Sequence, residues 1–233
     1  MLKTLVIIPA YNEEECIADT VAQVRSAAPW ADVLVVNDCS SDRTGEILKE
    51  LKTAHVDLPV NLGIGGAVQT GYRYAVENAY EAAVQLDGDG QHDPIYLKAM
   101  IDELEKGADM VTGSRYIKKE GFQSSGMRRV GIHFLNGLIR LCCGAKVSDA
   151  TSGYRACGKK LIDLYAEDYP ADYPEPEAAV MAVMNGAVIR EIPVVMRERS
   201  GGRSSIRPLH SIYYMTKVSL AILIHRLTLR RRK

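Results

Sequence analysis

Leu5-Val-Ile-Ile-Pro-Ala-Tyr-Asn-Glu-Glu-Glu15 decides how the rest of the chain is read. Its opening aliphatic run is too continuous for a half-exposed strand and fits one covered on both faces. Asn12 followed by three glutamates then offers helix-start chemistry, with a capping side chain and acids at the positive end of the helix dipole. The same alternation recurs. Val33-Leu-Val-Val36 is followed by Ser40, Ser41 and Asp42 and a helical segment from Thr44 to Lys52. Ala82-Ala-Val-Gln-Leu86 is a third buried run, and a shorter strand near His55 and Val56 falls between these two. Strand and helix in turn imply an α/β fold with a mostly parallel central sheet flanked by helices. Ligands of such sheets sit beyond the carboxyl ends of the strands, which is where Asn12, Asp38, Asp87 and Asp89 fall.

The second half is less regular. Met110-Val-Thr112 reads as a strand, and a polar, Gly- and Lys-rich loop spans residues 118–126. Arg128 to Cys143 has helical periodicity, with Val130, Phe134, Leu138, Leu141 and Cys142 as its apolar side and Gly144 as its stop. His133 lies within that helix and reads as packing. Val188 to Met196 is a late strand, and Pro193 inside it points to a sheet edge. With no repeat or low-complexity linker, the chain divides into one domain over residues 1–205 and a helical appendage over 206–233.

Bulk composition narrows the function. Lys plus Arg and Asp plus Glu each number 29, so formal net charge is zero and a general nucleic-acid binder is excluded. Cys16, Cys39, Cys142, Cys143 and Cys157 have neither disulfide-framework nor zinc spacing. With no secretory signal at Met1-Leu2-Lys3, they point to a reducing, cytoplasmic setting.

The chemistry concentrates in Gln85-Leu-Asp-Gly-Asp-Gly-Gln-His-Asp-Pro94. Asp87 and Asp89, one glycine apart at the end of a buried strand, would be costly to hold unpaired in one cleft, and a divalent cation is the natural neutraliser. Oxygen ligands favour Mg2+ or Mn2+, with phosphate and water completing the shell. Alone, the pattern reads first as a solvated Asp-Gly turn. Gly63, Gly65 and Gly66 lack the spacing of a dinucleotide fingerprint and suit close backbone approach to a ligand.

Context decides between the two. Val6-Ile-Ile-Pro-Ala-Tyr-Asn-Glu-Glu14, Val35-Val-Asn-Asp-Cys-Ser-Ser-Asp42, Asn61-Leu-Gly-Ile-Gly-Gly-Ala67 and the Asp87 segment come in one order. Gly113-Ser-Arg-Tyr116, Asp149-Ala-Thr-Ser-Gly-Tyr-Arg155 and Glu191-Ile-Pro-Val194 follow. Together they resemble the family 2 glycosyltransferases of GT-A nucleotide-sugar fold, and within these the polyprenyl-phosphate sugar synthases of dolichyl-phosphate mannose synthase type. The resemblance implies a nucleotide site at Pro9, Tyr11, Glu13, Asp38, Gly65 and Asp87, with Asp87, Asp89 and Gln91 around the metal. It implies Arg115 and Arg128 at an acceptor phosphate, and Glu175 and Glu177 near the donor sugar. Asp149, Asp89 and Arg203 would carry catalysis, Arg203 from a loop with Arg197 and Arg199 that closes on the diphosphate.

The activity so implied is inverting, metal-dependent transfer of a hexose or N-acetylhexosamine from a nucleotide diphosphate sugar, UDP preferred, to polyprenyl phosphate. An acceptor phosphate is already charged, so Asp149 would orient it; a hydroxyl acceptor on a polysaccharide or lipid-linked glycan would need Asp149 as base. A non-catalytic nucleotide-sugar scaffold is the reading from another class.

His210, Tyr214, Lys217, His225 and Thr228 make one stripe of the final segment and Ile212, Met215, Ile222 and Leu223 the other. An amphipathic helix ending in Arg230-Arg-Arg-Lys233 suits peripheral attachment to the inner membrane face, or an oligomer contact. Many such synthases continue into transmembrane helices, so a small integral membrane protein is an expected partner.

Overall fold

The computed structural model describes residues 1–118, 120, 126–197 and 208–230, with backbone alone for 127, 128, 208–213, 225 and 227–230. The opening run forms β1 (Thr4–Ala10), in which every residue is buried. α1 (Ile17–Ala27) follows and turns Ile17, Val21 and Val24 inward at helical spacing. It starts later than Asn12 suggested. Asn12 adopts φ 56, a left-handed conformation its short side chain tolerates, and a turn from Glu13 leads into the helix.

β2 (Asp32–Asn37), α2 (Thr44–Glu50), β3 (His55–Asp57), α3 (Gly63–Glu77) and β4 (Ala82–Gln85) complete the regular half. α4 (Leu97–Glu105), β5 (Met110–Ser114), α5 (Gly126–Cys143), β6 (Arg155–Gly158), α6 (Lys159–Glu167), α7 (Pro174–Met184), β7 (Ile189–Pro193) and α8 (Pro208–Arg230) follow. The seven strands lie in the order β3-β2-β1-β4-β6-β5-β7. β6 runs antiparallel to both neighbours, and the other pairs are parallel. β7 takes the edge, where Pro193 costs no ladder bond.

Two layers of helix cover the sheet. Val6 and Ile8 of β1 pack with Ile17, Val21, Leu97 and Ile101 on one face. Leu5 and Ile7 pack with Val68, Tyr72, Leu161 and Ile162 on the other. Each such aliphatic burial contributes about 1.5–3 kcal/mol. α3 lies so close to β1 that a Cβ on Gly71 would meet Ile7 at 2.4 Å.

A third cluster joins α5, α7 and α8 through Leu135, Ile139, Val180, Val218 and Ile222. Here the sequence reading needs correction. Of the apolar side read from the sequence, Cys142 is buried and Leu138 half-buried, but Val130, Phe134 and Leu141 are 70%, 56% and 81% exposed; Ile132, Leu135 and Ile139, outside that reading, are buried. α5 has apolar residues at helical spacing on two sides, and periodicity alone does not say which faces in. His133 is exposed rather than packed. α8 is not divided into one polar and one apolar stripe either. Tyr214 meets the Tyr173 ring edge-on at 4.7 Å, and Lys217 pairs with Asp172, on the side that docks. Leu220, Leu223 and Ile224 are exposed.

Candidate active site

The loops after β1 and β2 are tied to each other. Asn12 N donates to Ser40 Oγ at 3.0 Å, Ser41 N to Asn12 Oδ1 at 2.8 Å and Glu13 N to Thr44 Oγ1 at 2.9 Å. Between these loops, α3 and the end of β4 lies a cleft of about 590 Å³. Pro9, Tyr11, Glu13, Asp38, Asp87 and Asp89 all line it, so the strands' carboxyl ends bring together residues distant in sequence. Asp38 is 3% exposed and accepts Leu62 N at 2.7 Å, which fixes the start of α3 against the cleft.

Gly65 is placed differently from the expectation. It does not line the cleft; its N donates to Ala171 O at 3.1 Å, and an added Cβ would stand 2.2 Å from the carbonyl oxygens of Pro170 and Ala171. Its small size serves the packing of α3 on that loop. Gly63, Ile64 and Ala67 are the α3 residues that face the cleft.

Asp87 and Asp89 flank Gly88, whose Cβ would approach Pro9 O at 3.2 Å. Asp89 is buried at 3%, and its Oδ1 accepts Gln91 N at 3.0 Å. The Asp87 side chain is 34% exposed; Gln85 Nε2 donates to its Oδ1 at 3.2 Å. Among the described residues no three or more His, Cys, Asp or Glu side chains converge. Two carboxylates at an open cleft, with other positions left to phosphate and water, fit Mg2+ or Mn2+ rather than an all-protein cage. Gln91, expected as a further ligand, does not line the cleft, and its Nε2 reaches Arg197 O at 3.4 Å.

His92 is buried, with its Nε2 3.8 Å from Asp87 Oδ2. Its Nδ1 accepts Asp87 N at 3.1 Å, and its ring stacks on Tyr154 with centroids 4.8 Å apart. Arg197 is held by Gln23 at 2.7 Å and Asp93 at 2.6 Å. Arg199 and Arg203 lie outside the described residues, as does the side chain of Arg128.

On the far side of β6, Asp149 is fully buried and bound by Arg115, whose Nε and Nη2 each donate at 2.7 Å. Thr151 Oγ1 also donates to it, at 3.2 Å. Burial works against the Arg115 charge, but Asp149 more than offsets it and holds the guanidinium above its ordinary pKa. Glu191 supports this turn by accepting Ser148 N at 2.9 Å and Asp149 N at 3.2 Å. Neither Glu191 nor the fully buried Arg155 was singled out as a functional side chain in the sequence.

The two glutamates of α7 separate. Both half-buried carboxyls titrate above their ordinary range through loss of solvent, but Glu175 also feels Arg155, Asp87 and Arg115, whereas Glu177 has desolvation alone. Glu175 therefore lies within electrostatic reach of both the cleft and the Arg115–Asp149 pair. Beside that pair a second hollow, about 790 Å³, is lined by Tyr116, Arg129, His133, Arg140, Lys146 and Glu191 among others.

Residues 5–165 match the description Glycosyl transferase family 2. The chain belongs to that family. This glycosyltransferase is 33% identical over 214 residues to the polyprenol monophosphomannose synthase of Mycolicibacterium smegmatis, across 88% of this chain and 81% of that one. It is 32% identical to the undecaprenyl-phosphate mannosyltransferase of Micrococcus luteus, across 88% of each chain. It is 31% identical over 209 residues to the UDP-N-acetylglucosamine--dolichyl-phosphate N-acetylglucosaminyltransferase of Methanococcus voltae, across 81% of this chain and 83% of that one. Glucosyl-3-phosphoglycerate synthase of Mycobacterium tuberculosis, crystallised with Mn2+, UDP and phosphoglyceric acid, superposes with a TM-score of 0.71 at 19% identity. That match covers 97% of this chain and 78% of the other, and establishes a shared fold.

Proposed function

We propose that this glycosyltransferase moves a hexose or N-acetylhexosamine from a nucleotide diphosphate sugar to polyprenyl phosphate in one inverting displacement. The observation that carries the reading is the cleft lined at once by Pro9, Tyr11, Glu13, Asp38, Asp87 and Asp89. Pro9, Tyr11, Glu13 and Asp38 are assigned to the nucleoside, and Asp87 and Asp89 to a divalent cation at its diphosphate. When bound, that cation supplies Lewis-acid stabilisation of the leaving diphosphate. UDP is the donor nucleotide we favour; it is named in the Methanococcus voltae relative and bound in the mycobacterial synthase.

The acceptor side supports a phosphate over a hydroxyl. Both oxygens of the buried Asp149 are taken up by Arg115 and Thr151, so the carboxylate is turned to that guanidinium and not presented to an acceptor hydroxyl. It holds Arg115 in place. A phosphate nucleophile needs no such base, and the named relatives act on polyprenol, undecaprenyl or dolichyl phosphate. Glu175, rather than Glu177, is assigned to the donor sugar. Arg128 keeps the acceptor role implied by the resemblance, and Arg203 the diphosphate role read from its Arg- and Gly-rich segment.

Residues 1–205 are assigned to transfer and 206–233 to peripheral attachment at the inner membrane face; among the described residues no helix is long and apolar enough to cross a membrane. A small membrane-protein partner and self-association remain part of this reading, in a cell-envelope glycan context. The test incubates pure protein and Mg2+ or Mn2+ with UDP- and GDP-sugars and short polyprenyl phosphates, and identifies products by mass. A sugar-phosphate-lipid product is expected. Transfer only to a hydroxyl acceptor, or only hydrolysis of the donor, contradicts the reading.

A further inference from the structure

α5 and α8 lie side by side and run the same way. A Cβ on Gly131 would stand 3.2 Å from Met215 Sδ, and Cys143, one helix length on, is within electrostatic reach of Arg226. At about 100° per residue, Val130, Phe134 and Leu141 fall within roughly 40° of one another, on the side of α5 away from Leu135 and Ile139. Leu220, Leu223 and Ile224 likewise sit opposite Val218 and Ile222 on α8. These six outward side chains of one helix pair are 44–81% exposed. Soluble monomers rarely leave so much apolar surface uncovered without a use for it.

Charge identifies what covers it. Residues 126–147 contain four of the 29 Lys and Arg, residues 199–233 contain nine, and neither stretch has an Asp or Glu. With formal net charge zero, the rest of the chain is correspondingly acidic. Arg129, His133 and Arg140 form the stripe of α5 next to the apolar one and, with Lys146, line the second hollow. A closed two-fold contact would set this surface against itself, like charge on like charge. An anionic sheet of headgroups is complementary to it.

We propose that α5 and α8 together form the face that lies on an anionic bilayer. Val130, Phe134, Leu141, Leu220, Leu223 and Ile224 enter the interfacial layer, and Arg129, Arg140 and Arg226 meet lipid phosphates. The attachment expected of the C-terminal helix alone is thereby shared with α5. This rests on the lipid-acceptor reading in that it says where the bilayer carrying that acceptor lies.

Co-sedimentation with phosphatidylcholine vesicles, with and without phosphatidylglycerol, tests it. Binding at least about tenfold tighter with phosphatidylglycerol is expected. Phe134→Asp with Leu141→Asp, both exposed and so tolerable to the fold, should weaken it about tenfold or more at unchanged melting temperature. That variant should still glycosylate a short, water-soluble prenyl phosphate at the wild-type rate. Arg129→Gln with Arg140→Gln should lessen the preference for phosphatidylglycerol. Equal vesicle binding by wild type and the aspartate variant overturns the proposal. So does a self-association by wild type that the aspartate substitutions abolish. Vesicle binding by a wild type that transfers no sugar upholds this face and overturns the acceptor reading; transfer without vesicle binding does the reverse.

Discussion

Arg115 closes on Asp149 through its main-chain N at 3.3 Å and through Nε and Nη2 at 2.7 Å each. With the arginine side chain 11% exposed and the aspartate 0%, the pair is a buried clamp between the end of β5 and the turn that precedes β6. The position that the family resemblance marks for catalysis is therefore occupied in holding another charged group still.

Asp149→Asn separates the two roles. Removing one charge leaves Arg115 buried and uncompensated, which costs about 3–5 kcal/mol of stability by urea denaturation. Transfer to prenyl phosphate, measured per folded molecule, should keep a substantial share of wild-type turnover. Loss of nearly all turnover in fully folded protein would make Asp149 the base and favour a hydroxyl acceptor.

Glu175 gives the pH dependence a sign. Burial, offset in part by Arg155, raises its carboxyl above the ordinary 4.5. The folded chain therefore keeps a proton that the unfolded chain has lost, so this group's contribution to stability declines as pH rises from 4.5 toward the raised folded value and then levels off. Glu175→Gln removes that decline. Thermal melts in EDTA from pH ~4 to ~8 should show wild type losing stability relative to the variant across that window. Parallel curves would contradict it.

Gly65→Ala addresses packing alone. A methyl 2.2 Å from two carbonyl oxygens forces α3 or residues 170–171 to move, at a cost of about 1–3 kcal/mol or more. A denaturation midpoint equal to wild type would show that the contact is not as close as described.

Asp89→Asn tests the cation's contribution. Charge stabilisation of a leaving diphosphate is worth several kcal/mol, so turnover at saturating metal should fall about 10²-fold or more with the melting temperature little changed. A variant with wild-type turnover and the same metal requirement would remove Asp89 from the site.

How much of this was legible in the residues varies with the kind of burial. β1, β2 and β4 were readable because strands covered on both faces must be aliphatic throughout, and Pro193 placed β7 at an edge. β6 escaped notice because Arg155-Ala-Cys-Gly158 is short and opens on a charged residue, and its pairing with Gln85 and Thr112 is long-range. Asp38, Asp87 and Asp89 were found because they follow buried strands, whereas Pro9, Tyr11 and Glu13 came from the family resemblance. Gly65 was misplaced because a glycine needed for close approach looks the same whether ligand or backbone approaches. Val130, Phe134 and Leu141 were grouped with Leu138 and Cys142 because α5 has apolar residues on two sides, and spacing reports a stripe without saying which one is buried. On α5 the outward stripe carries the surface we assign to the bilayer.

The central claim is that Asp87 and Asp89 hold a divalent cation against a nucleoside diphosphate. A crystal soaked with Mn2+ and UDP or GDP, with data collected at the manganese edge, measures this directly. The account predicts an anomalous peak ~2.0–2.3 Å from a carboxylate oxygen of Asp89, shared with phosphate oxygens of a nucleotide lying along Pro9, Tyr11 and Asp38. A nucleotide bound elsewhere, or one in this cleft at saturating Mn2+ with no such peak, would contradict it.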